Sequence, residues 1–73
     1  MMPSQHVVPR DGKWAIRRSG STKVTKKFDR QQDAIREGRK IARNQGADLY
    51  IHGRDGQIWD INSYGQDPHP PKG

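Results

Sequence analysis

The side chains able to do chemistry in this 73-residue chain are few and widely spaced. The histidines are His6, His52 and His69, and there is no cysteine. A metal centre would need these histidines to converge with a carboxylate such as Asp60, and the close ligand spacing of zinc sites is absent. Asp55 and Asp60 flank a strand and Asp48 follows a helix end, so each carboxylate has a structural role open to it. No Gly-Lys-Ser/Thr phosphate loop occurs, and no serine sits in a nucleophile-elbow context. Arg54-Asp55-Gly56 reads as turn chemistry. The expectation is a protein that is no enzyme, with no cofactor, no metal and no small-molecule substrate.

A second set of residues points to binding. Arg17, Lys23 and Lys27 are predicted to share a sheet face with Tyr50, His52 and Trp59. Cations neutralise phosphates and aromatic faces stack on bases, so Arg17, Lys23, Lys27, Tyr50 and Trp59 form a candidate site for DNA or RNA. The charge distribution supports a polyanion. The net charge is +6, and residues 1–45 carry 12 Lys/Arg against 4 Asp/Glu, whereas residues 46–73 carry 2 against 4. A basic half of this kind attracts nucleic acid, although it also serves as a solvated surface. Arg36, Lys40 and Arg43, with Arg39 at their flank, form a second cationic patch along one side of a predicted helix.

The elements that must position these residues can be read from local patterning. His6 to Arg10 is a first short strand, with Pro9 placing it at a sheet edge or a bend. Asp11-Gly12 is a tight turn before a second strand, Lys13 to Arg18, whose alternation puts Trp14 and Ile16 on one face. A third strand, Lys23 to Phe28, puts Val24 and Phe28 inward. Asp29 is the expected N-cap of a helix, with Gln32 completing a capping box. Ala34, Ile35, Gly38, Ile41 and Ala42 mark its buried stripe. Glycine within a helix costs about 1 kcal/mol against alanine, so Gly38 is read as a close-packing position. Gly46 ends the helix. Leu49 to His52 and Gln57 to Ile61 are the last two strands, joined through Gly53-Arg54-Asp55-Gly56.

The predicted fold is therefore α+β: a small antiparallel sheet in the order βββ-α-ββ with one helix packed on one face. Residues 1–5 are expected to be a disordered N-terminus, 6–64 a single domain, and 65–73 an extended proline-rich tail. The predicted core is Trp14, Ile16, Val24, Phe28, Ala34, Ile35, Ile41, Ala42, Leu49, Ile51 and Ile58. Hydrophobic residues form 29% of the chain, so the core is small and dimerisation could add to its stability.

His6-Val7-Val8-Pro9, Gly12-Lys13-Trp14-Ala15-Ile16-Arg17-Arg18, the helix from Asp29 to Ala42, His52-Gly53-Arg54-Asp55-Gly56-Gln57-Ile58 and Ser63-Tyr64-Gly65 together resemble a family of short bacterial proteins, domain of unknown function 2188. The ending Asp67-Pro68-His69-Pro70-Pro71-Lys72-Gly73 is similar as well. The resemblance implies a small stand-alone domain of bacterial or phage source and brings no catalytic residues with it. Trp59 and Ile61 are more apolar than that pattern leads one to expect.

Two functions follow as expectations. One is a nucleic-acid-binding accessory protein using the open sheet face. The alternative is a protein-interaction module or homodimer, built on Trp59, Ile61 and Tyr64, with no nucleic-acid role. No segment is long and apolar enough to suggest a membrane partner, and the absence of cysteine favours the cytoplasm.

Overall fold

A computed structural model describes residues 4–21 and 23–64. The elements run β1 (Ser4–Arg10), β2 (Lys13–Arg18), β3 (Val24–Phe28), α1 (Gln31–Gln45), β4 (Asp48–His52) and β5 (Ile58–Ser63). The five strands form one sheet in the order β3-β2-β1-β4-β5, with α1 lying over β1 to β4. This is the expected α+β arrangement in the expected element order. One pairing differs: β1 and β4 run parallel, so the sheet is mixed rather than wholly antiparallel. The reason is topological. The chain leaves β1 through a meander, crosses the sheet by α1 and returns beside β1 in the same direction, as a crossover connection does.

The strand β1 is central, not an edge, and it starts at Ser4. Gln5, expected in a disordered N-terminus, is buried, and its side-chain amide donates to Gln45 Oε1 at 2.9 Å. Pro9 is accommodated because β1 pairs with β4 only from Ser4 to Val7. Opposite β2, Arg10 and Lys13 flank the two-residue turn and Pro9 faces Trp14. Alternation of the antiparallel ladder makes Pro9–Trp14 a non-hydrogen-bonded pair, so the donor that proline lacks is one β2 does not need. Asp11 and Gly12 both have positive φ, 55° and 76°, the signature of a type I′ hairpin turn.

The helix ends as its sequence predicts and begins differently. Gly46 is left-handed (φ 63°), and Ala47 N–H donates to Ala42 O at 2.8 Å, closing a Schellman motif that buries Ala47. At the other end the N-cap is Arg30, without a side-chain cap bond. Asp29 is drawn away by Lys13, whose ammonium donates to Asp29 Oδ1 at 2.9 Å and holds that carboxyl below its ordinary pKa.

Val7, Trp14, Ile16, Ala34, Ala42, Ala47, Leu49 and Ile51 form the core, with Phe28, Ile35, Ile41 and Tyr64 packed against it. Gly38 has the packing role expected of it: a Cβ there would meet Leu49 Cδ1 at 3.0 Å and Val7 Cγ2 at 3.2 Å. Two expected core members lie elsewhere. A bulge pairs Ile16 with Lys26 but Arg17 with Val24, which turns Val24 to the face opposite the helix. Ile58 is 51% exposed on the edge strand.

Candidate functional site

The face of the sheet opposite α1 is defined by strand pairing. One row across it reads Val24, Arg17, His6, Tyr50 and Ile61, each paired with the next. A second row holds Lys27, Ala15 and Val8, and His52 pairs with Ile58 toward the other end. Arg17, Lys27 and Tyr50 thus share the predicted face. Lys23 precedes β3 and is exposed, its N–H bonded to Ser21 Oγ at 3.1 Å, so no ladder pair places it. Trp59 is the extra residue of a bulge between the Ile51–Asp60 and His52–Ile58 pairs. Counting in twos therefore does not define its face.

These five residues do not form a compact cluster. Lys27 and Trp59 lie on opposite edge strands, four inter-strand spacings or about 19 Å apart. Their polar groups are partly engaged. Lys27 Nζ donates to Asp11 Oδ2 at 3.2 Å, and Arg17 donates to Ser21 O at 3.1 Å. Tyr50 stacks on His6, ring centroids 4.9 Å apart and 13° from parallel. Trp59 is 68% exposed, with its indole Nε1 lying 2.9 Å from where a Cβ on Gly53 would sit.

Sequence spacing did not bring His6 and His52 together, but the parallel β1–β4 pair does. His52 Nδ1 lies 2.9 Å from Gly56 O, and His52 Nε2 lies 2.9 Å from His6 Nδ1. A carbonyl only accepts, so His52 carries its proton on Nδ1 and its Nε2 accepts from His6 Nδ1–H. Burial, Arg17 and His52 hold the His6 pKa below its usual value, in that order of weight. The pair pins the β4–β5 turn to the centre of the sheet. Among the described residues no group of three or more metal-ligating side chains occurs.

The helix side is different in character. Arg36, Arg39, Lys40 and Arg43 are exposed along α1. Lys13–Asp29 and Lys27–Asp11 are the ion pairs among the described residues, so none of these four cations has a carboxylate partner there. Arg43 lies over the Tyr64 ring, 5.5 Å from its centroid. Arg39 Nε donates to Asn62 Oδ1 at 3.4 Å, toward β5. Arg36 and Lys40 remain on the outward side, one helical turn apart. Asp33 and Glu37, on the same helix, are only half-exposed.

A single helix laid across a five-stranded mixed sheet, with unpartnered cations outward and no metal-ligand cluster among the described residues, defines the chain as a small α+β domain. Residues 5–64 match the family described as "Uncharacterized protein conserved in bacteria (DUF2188)", and the chain belongs to that family. It is also similar to "Uncharacterized protein YdaT" of Bacillus subtilis (strain 168), 28% identical over 58 residues. The match covers 80% of this chain and 39% of that relative, so the chain spans well under half the relative's length. No solved structure matches. Among the described residues no helix is long and apolar enough to cross a membrane.

Proposed function

We propose that this domain is a nucleic-acid-binding accessory protein, without catalytic activity, whose main phosphate contact is the outward face of α1. The observation that carries this reading is the exposed set Arg36 and Lys40, with Arg43 beside them over Tyr64, none of which is in an ion pair among the described residues. Cations free of counter-charges release condensed counterions when they meet a phosphate backbone, which is the main source of sequence-independent affinity. Arg17, Lys23 and Lys27 on or beside the sheet are weaker candidates, since Lys27 already holds Asp11 and Arg17 is half-buried against Ser21. Tyr50 is engaged with His6, and Trp59 sits at a bulge on the edge strand rather than in the row of that face. The helix and the open sheet face look in opposite directions, so one duplex engages one of them.

Labelled duplex DNA, single-stranded DNA and RNA titrated between 50 and 200 mM salt test the reading. The expected result is binding that weakens as salt rises. Arg36→Glu/Lys40→Glu/Arg43→Glu should abolish it, and Arg17→Glu/Lys23→Glu/Lys27→Glu should weaken it less. No binding at 50 mM salt, or binding indifferent to salt, rejects the function. A larger loss from the sheet-side triple moves the site to the sheet.

A further inference from the structure

The two edges of the sheet are built differently. β3 carries Lys26 and Lys27, with Lys23 beside it, the charged protection that keeps a free edge from pairing. β5 carries Ile58, Trp59 and Ile61, exposed by 51, 68 and 50%, and one charge, Asp60. β5 has a bulge at Trp59 but no lysine and no proline, and large apolar side chains on such an edge mark a place where another strand adds. The proline-rich ending of this chain suits that place poorly, because Pro68, Pro70 and Pro71 have no N–H to give to a ladder.

The geometry points to a second copy of this chain: β5 pairs antiparallel with β5 of another molecule about a two-fold axis at Ile61, joining two five-stranded sheets into one of ten strands. A two-fold axis normal to a sheet sets a residue opposite its own counterpart and fixes every other pair. Centring on Asp60 would oppose two carboxylates, which is unfavourable. Centring on Ile61 opposes two isoleucines on the face they share with Tyr50. The same register sets Asp60 opposite Asn62 of the second copy, both on the helix side, where they pair with Ile51 and Leu49. Asn62 is the residue to which Arg39 donates. Each Asp60, whose Oδ1 accepts from the Ile61 N–H at 2.9 Å and which is in no ion pair among the described residues, comes beside an Arg39 of the other copy and exchanges that local bond for the cation, twice over by symmetry. This surface is distinct from the outward cations of α1 and does not depend on their binding nucleic acid.

Cysteine substitution gives a register-specific test in a protein that has no cysteine. Opposed Cα atoms in an antiparallel pair are about 4.5–5.5 Å apart, within reach of a disulfide. Mild oxidation of Ile61→Cys should give a covalent dimer. Ser63→Cys, set four residues from its own counterpart in this register, should remain monomeric. Sedimentation of the unmodified protein should show a concentration-dependent dimer. Asp60→Arg should raise the dissociation constant at least tenfold, and adding Arg39→Asp should restore it. A monomer at all concentrations, or Ser63→Cys linking as readily as Ile61→Cys, overturns the proposal. Circular dichroism of each variant separates loss of pairing from loss of fold.

Discussion

At the scale of single residues, two positions link local geometry to measurable behaviour. Gly53 lies against the indole of Trp59, and an added Cβ would sit 2.9 Å from Nε1 and 3.3 Å from Asp55 Oδ1. Gly53→Ala must push the indole away. The expected outcome is a shifted Trp59 indole N–H resonance and a loss of about 1 kcal/mol from the displaced contact. An unchanged spectrum would mean that the indole does not rest on Gly53. His6 supplies a pH dependence whose sign is fixed. Its pKa in the folded chain lies below the reference of 6.5, so the unfolded chain binds more protons below that pH. Stability is then complete above about 6.5 and declines as pH falls toward the folded value. The groups facing it are Arg17, Tyr50 and His52. Protonating His6 adds to the cationic charge around Arg17. Thermal denaturation at pH 7.5 and pH 5.5 should show a lower midpoint in acid, and His6→Gln should reduce the difference. An equal drop in His6→Gln would place the pH dependence elsewhere.

At the scale of elements, α1 was the most legible part of the sequence because its signals are local. The stripe of Ala34, Gly38 and Ala42, the stop at Gly46 and the close approach of Gly38 all follow from helical periodicity and side-chain size. Gly46→Ala should cost about 1 kcal/mol, since φ of 63° is left-handed backbone. Gly38→Val tests the other contact. Its branched carbons would enter space held by Leu49 and Val7, and an overpacking loss of about 1–3 kcal/mol in chemical denaturation is expected. If Gly38→Val is neutral, α1 can shift on the sheet. What was not legible depended on partners distant in sequence. The bulge that turns Val24 outward is set by how β3 meets β2. The N-cap role of Asp29 lost to an ion pair with Lys13, sixteen residues away. The central position of β1 rests on its parallel pairing with β4, and no property of Ser4 to Arg10 encodes that neighbour. The same non-local pairing hid the His6–His52 bond, and the β4–β5 bulge hid the placement of Trp59.

At the scale of the whole molecule, charge and apolar surface occupy separate regions. Cations dominate α1 and the β3 edge, whereas exposed apolar groups concentrate on β5. If two copies join through β5, their helices lie on the same side of a continuous sheet, and both outward cationic faces can meet one extended polyanion. The number of phosphates neutralised then doubles. The slope of log affinity against log salt scales with that number, roughly 0.9 per phosphate for duplex DNA. Ile61→Asn removes the central apolar contact without altering the net charge. It should bind duplex DNA with about half the salt slope of the unmodified protein, measured above the concentration at which the latter dimerises. Arg36→Glu should lower the slope in both proteins. A slope unaffected by Ile61→Asn would separate the surfaces, leaving self-association and polyanion binding as unconnected properties of one small domain. Loss of all binding would instead mean that a single helix face holds too few cations to engage a phosphate backbone alone.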